Sequence, residues 1–155
     1  MKLLIIFILL IMLSTGALFS QDSVSSCKLL NEKYLSVELI SNLAVSDIYV
    51  NLLLLKNMKD DISKTEDLAY QSKVIMSLNE SFTIIQNQFR KFSKDVVLGS
   101  EDRAFVNKIV DIYSQLQELS KSLLGCLNDK SDKKKNEFDK LYKSAFDKYQ
   151  ELFSK

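Results

Sequence analysis

The sequence predicts an all-α protein, a bundle of four to five helices, from three observations. Its 155 residues contain no proline and only three glycines, so little in the chain interrupts a helix. Apolar residues recur at steps of three and four over long segments, and no run of strand-type alternation is long enough to build a sheet. Hydrophobic residues make up 46% of the chain, which is enough for a real core in one domain.

The first element precedes the bundle. Met1 and Lys2 lead into an unbroken apolar run from Leu3 to Leu13, and the small residues Ser14, Thr15, Gly16 and Ala17 follow before the first acid at Asp22. A positive start, an apolar stretch and a small-residue segment in that order describe a secretory signal peptide. The apolar part is well short of the roughly 20 residues needed to cross a bilayer, so removal is expected rather than anchoring. The expected signal peptide is 1–20, and 21–155 is a single helical-bundle domain that meets the membrane only through its signal. Val24-Ser25-Ser26-Cys27 also permits lipidation of Cys27, but Gln21 and Asp22 interrupt the apolar approach that such a signal keeps.

The first helical segment, from about residue 24 to 58, is the most ambiguous. Cys27, Leu30, Tyr34, Val37, Ser41, Ala44 and Ile48 form one stripe, yet Leu52 to Leu55 is apolar on every side, as in a buried helix. Ser41-Asn42 and Ser46-Asp47 could each cap a new helix, and a break is expected between 40 and 48. The second segment is expected to start at Ser63, with Glu66 at capping-box spacing. It carries Leu68, Ser72, Ile75, Phe82, Ile85, Phe89, Phe92 and Val96 on one face. The third shows the plainest stripe, Phe105, Ile109, Ile112, Leu116, Leu119, Leu123 and Cys126, with Ser100 as its N-cap and Gly99 closing the helix before it. The fourth runs from about Ser131 to Phe153, with Phe138, Leu141, Ala145, Tyr149 and Leu152 inward and a lysine-rich polar face outward.

Two cysteines in an exported chain suggest one disulfide, Cys27 with Cys126, the alternatives being free thiols or pairing between molecules. Such a bridge is incompatible with a short-loop bundle whose first helix is unbroken. A 25-residue helix is roughly 37 Å long, whereas bridged Cα atoms lie about 5 to 6 Å apart. A long crossover near residues 40 to 62 removes the conflict, as in bundles with long connections.

Composition excludes much chemistry. The chain has no histidine, which removes His-based triads, His metal sites and His general-base catalysis. Gly16, Gly99 and Gly125 stand alone, so there is no glycine-rich phosphate loop, and the cysteines, 99 positions apart, are no zinc ligand set. Acid pairs such as Asp60-Asp61 and Glu101-Asp102 lie where helix ends and loops normally carry acids. No cofactor and no enzymatic activity are expected. Without Lys2 the chain holds 20 basic and 20 acidic residues, which gives it no electrostatic footprint for nucleic acid. The basic run Lys133 to Lys135 sits among Asp129, Asp132, Glu137 and Asp139, as a solvated helix start does. Asn79-Glu80-Ser81 fits a glycosylation sequon, but Asn79 lies on the stripe side of its helix.

Protein recognition remains, with the charged faces of the first and last helices as candidates: Lys28, Lys33, Glu38, Lys140, Lys143 and Lys148. Cys27 just after the signal, Asn51-Leu52-Leu53-Leu54-Leu55-Lys56 in the crossover region, Cys126 ending a helix and Lys143 through Gln150 in the last helix together resemble the class II helical cytokines. That superfamily includes interleukin-10 and interferon-gamma. Gln71 through Leu78, QSKVIMSL, is similar to the second-half helices of interferon-gamma. The interleukin-10 branch is similar in pairing an early cysteine with one about this far downstream, although its second disulfide is missing here. The resemblance implies a secreted ligand of paired cell-surface receptors, a shortened or virally encoded one being included. Composition supports a rival: lysine outnumbers arginine 19 to 2, with abundant serine and leucine, as in exported helical proteins of AT-rich bacteria. A periplasmic or surface protein binding a host factor would fit, and so would a helical enzyme inhibitor.

Overall fold

The computed structural model describes residues 26–64, 67–94 and 98–153, with side chains from residue 38 onward. The expected signal peptide and the side chains of Cys27, Lys28 and Lys33 lie outside the described residues. Four helices follow in order: α1 (Ser26–Asp61), α2 (Leu68–Phe92), α3 (Ser100–Asn128) and α4 (Asp132–Gln150). The chain separates into Met1–Ser36 and a compact unit, Val37–Lys155, and the bundle described below is that second unit.

The helical bundle is therefore as expected, with four helices and no fifth among the described residues. The expected break in the first helix is absent. α1 continues through 40–48 because no glycine or proline lies between residues 26 and 61 to interrupt its backbone ladder. The polar residues that looked like caps serve other purposes. Asn51 donates a hydrogen bond from Nδ2 to the carbonyl of Asp47 at 2.8 Å, inside the helix. Ser41 is buried with its hydroxyl unpartnered.

With 40–61 helical, the long crossover is absent too. α1 and α3 run the same way: Asp47 meets Tyr113, and further along both helices Lys59 lies beside Cys126. α2 packs against α3 and α3 against α4, each pair joined by a short connection and so antiparallel. Among the described residues Cys126 is a buried thiol without a bridge, and the expected Cys27–Cys126 disulfide is not shown, the Cys27 side chain lying outside those residues.

α3 is the central element. Its expected stripe is buried from Ile109 through Cys126, with Phe105 at the edge, and Val106, Tyr113, Ser120 and Leu127 join it. α2 contributes Ile75, Phe82 and Phe89, and α4 contributes Phe138 and Ala145. α1 adds Ala44, Ile48, Leu52 and Leu55, and Ile62 beyond its end closes that part of the core. Phe89 stacks on Tyr113 with ring centroids 6.1 Å apart, and Phe82 approaches the same ring at 6.3 Å.

Helix ends shift modestly from expectation. α2 starts after Asp67, whose carboxylate accepts from the Tyr70 amide at 2.8 Å, while Ser63 lies in the preceding turn. Gly99, not Ser100, is the N-cap of α3, and Ser100 is its first residue. Ser131 caps α4 as expected and accepts from the Lys134 amide.

Candidate protein-binding face

Polar ties fix the helices against one another and so position the surface. Gln86 is buried on α2 and donates to the Val110 carbonyl at 3.1 Å and the Ser114 hydroxyl at 2.8 Å, and it accepts from Gln117. The Tyr113 hydroxyl donates to Asp47 Oδ2 at 2.8 Å and pins α1 to α3. Burial pushes the Asp47 carboxyl above its ordinary range, and the hydrogen bonds from Tyr113 and Asn51 pull it back only in part. Burial, with the Asp47 charge beside it, drives Tyr113 well above its usual range, so the phenol keeps its proton.

Lys59 at the end of α1 reaches Asp139 on α4 at 2.8 Å and Asp60 at 3.1 Å. Burial disfavours the Lys59 charge, but the two carboxylates outweigh it and hold the ammonium above its ordinary range. Next to this cluster, burial raises Cys126, and Lys59 opposes that shift without cancelling it. A thiol kept protonated and enclosed in this way is a core residue rather than a nucleophile.

The seam between α1 and α4 is aromatic. Phe138, Tyr142, Phe146, Tyr149 and Phe153 follow one another along the last helix and the turn after it, with successive ring centroids 5.3 to 6.3 Å apart. Tyr49 of α1 stacks on Tyr149 at 5.7 Å, and the Lys56 ammonium sits over the Tyr142 ring at 5.1 Å. The column opens to solvent at its end, where Phe153 is 62% exposed.

Three of the expected contact residues come together here. Lys140, Lys143 and Lys148 are exposed on the outer face of α4, where with Ser144, Asp147 and Glu151 they line a shallow concavity. Lys143 pairs loosely with Asp147 at 3.4 Å, an i,i+4 contact on the helix surface. Glu38 is exposed on α1, apart from this cluster. The aromatic column behind the lysines went unread in the sequence, although Phe138, Tyr142, Phe146, Tyr149 and Phe153 keep a step of three or four throughout.

Asn79 of the sequon is half-buried, and its Oδ1 is enclosed without a partner. Among the described residues no group of three or more Cys, Asp or Glu side chains could hold a metal ion. By length and composition the stretch Glu38–Asp61 could cross a bilayer, but its inner side is tied into the bundle through Asp47 and Lys59. No family model, curated protein or solved structure matches the chain.

Proposed function

We propose that the chain is an exported helical module that works by binding another protein, with the outer face of α4 as its contact surface. The observation that carries this reading is the exposed set Lys140, Lys143 and Lys148 backed by an aromatic column that ends in exposed Phe153. Exposed Phe153 offers an aromatic anchor at the open end of the column, and a positive rim steers an acidic partner into register. The signal-like N-terminus supports export.

The leading partner is a cell-surface receptor, the ligand role that resemblance to the class II helical cytokines implies. The uninterrupted α1 favours a second reading, because that superfamily's long crossover has no counterpart among residues 40–61. Under it the module is a bacterial exported or surface protein that engages a host factor, in keeping with its lysine-over-arginine composition.

One experiment separates them. The exported chain and a Lys140→Glu/Lys143→Glu/Lys148→Glu variant are passed over immobilised class II cytokine receptor ectodomains and, in parallel, an array of host extracellular proteins. Receptor binding that weakens at least roughly tenfold in the variant supports the ligand role. Binding confined to other host proteins supports the second reading, and binding to neither overturns protein recognition by this face. Peptide mass mapping of the same material adds a check, since a lipid on Cys27 removes the receptor-ligand reading.

A further inference from the structure

We infer that two copies of this chain pair antiparallel through the outward face of α1, about a two-fold axis level with Ile48. The pairing involves a different helix face from the α4 lysines and does not depend on what they bind.

α1 carries two apolar stripes. The inner one, Ala44, Ile48, Leu52 and Leu55, is at most 5% exposed. The outer one runs Leu39, Leu43, Ser46, Val50, Leu53 and Asn57, alternating steps of four and three. Leu39 is 61% exposed, Val50 46% and Leu53 38%. The only charged residue between Glu38 and Lys56 is Asp47, which is engaged with Tyr113. A surface helix of a monomer ordinarily sets charge opposite its buried stripe, so an uncharged outer seam is unexplained by this chain's own core.

The spacing suits a second copy. Alternating steps of four and three make the seam of a two-helix coiled coil. The order four, three, four, three, four is the same from either end, so an antiparallel copy finds its own pattern. About residue 48, Leu43 meets the partner's Leu53, Ser46 makes room for the partner's Val50, and Leu39 lies against the partner's Asn57.

The charges at the two ends select this orientation. Glu38 and Lys56 are 18 residues apart, about five full turns, so they stand on one flank of α1. In the antiparallel register Glu38 comes within about 3 Å of the level of the partner's Lys56, and the two-fold repeats the pair at the other end. A parallel register would place this flank on opposite sides of the seam in the two copies and leave Glu38 and Lys56 without each other. Neither residue has an ion-pair partner among the described residues, and Lys56 rests over the Tyr142 ring. A single pair of helices in contact over about five turns lies at the small end of specific interfaces, so the dimer is reversible and concentration-dependent.

Sedimentation equilibrium of the exported chain, under reducing conditions and from low micromolar to millimolar, tests the pairing. The mass is expected to rise from one chain to two. Leu53→Lys is expected to raise the dissociation constant at least roughly tenfold with unchanged helical circular dichroism, since it places an unpaired charge in the seam. Lys56→Glu alone weakens the dimer, and Glu38→Lys with Lys56→Glu restores it. A single-chain mass throughout, an unmoved midpoint in Leu53→Lys, or a double variant no tighter than Lys56→Glu overturns the proposal. A monomeric mass with Leu53-dependent co-sedimentation on phosphatidylcholine vesicles also overturns it and assigns the seam to a lipid surface.

Discussion

α1 and α4 touch along an aromatic seam and each turns a face to solvent, yet the two faces are chemically opposite. Outward on α4 stand Lys140, Lys143, Asp147 and Lys148, a charge at almost every solvent-facing position. Outward on α1 stand Leu39, Ser46, Val50, Leu53 and Asn57, without a charge. α4 is a one-sided helix whose apolar stripe is used up by its neighbours. α1 is two-sided, and the bundle covers only one of its sides. Hydrophobicity alone therefore does not tell how deeply a helix is buried, and the placement of charge around it is the better guide to what water touches.

The largest expected effect contrasts the two sides of α1. Leu55→Ala should cost about 2–5 kcal/mol, because it opens a cavity among fully buried neighbours. Leu53→Ala, two positions earlier on the outer side, should stay within about 0.5 kcal/mol at concentrations where the chain is monomeric. Urea unfolding of both variants checks the pair, and equal losses would erase the distinction between the stripes. The same contrast sets buried Phe138 of α4 against exposed Phe153 in the turn after it.

An intermediate effect belongs to the tie that turns the inner side of α1 to α3. Tyr113→Phe removes the donor to Asp47 and should cost about 1–3 kcal/mol near neutral pH. The pH dependence has a definite sign. Because burial raises the Asp47 carboxyl, the folded protein takes up that proton before the unfolded chain does. Asp47 alone therefore makes the fold more stable as pH falls through its raised value toward the ordinary one. The cost of Tyr113→Phe should shrink over the same interval as the carboxylate is neutralised. Stability measured against pH for both proteins tests this, and a cost that grows on acidification would reverse the assignment.

The smallest effect is at the edge where α1 meets α4. Lys59→Met removes contacts to Asp139 and Asp60, both well exposed, and should cost about 0.2–1 kcal/mol, less at high salt. A thermal melt with and without added salt resolves it.

Much of this was legible residue by residue. The stripe from Ile109 to Cys126 is buried as its spacing requires, because a regular alternation of three and four can satisfy only one helix face. Ser131 as a cap and Phe138 and Ala145 as the inner side of α4 follow for the same reason. The break expected at 40–48 failed because Ser, Asn and Asp cap a helix only where the chain turns, and an uninterrupted run of helix-compatible residues gives it no cause to turn. Asp67 rather than Ser63 caps α2 because the turn after α1 extends past Ser63. Of the candidate contact residues, Lys140, Lys143 and Lys148 are exposed on α4 as helical spacing requires, whereas the aromatic column lay at the border between the buried stripe and the polar face.

By itself the sequence determined that the chain is helical, where α3 and α4 lie and which of their sides face inward, because these are consequences of backbone propensity and a 3.6-residue period. Only the tertiary structure decided that α1 is continuous, that α1 and α3 run the same way, that Asp47 faces Tyr113 and that Leu53 is exposed while Leu52 is buried. Those facts depend on which helices become neighbours. A helix apolar on two sides carries the same local signal whichever side the bundle covers.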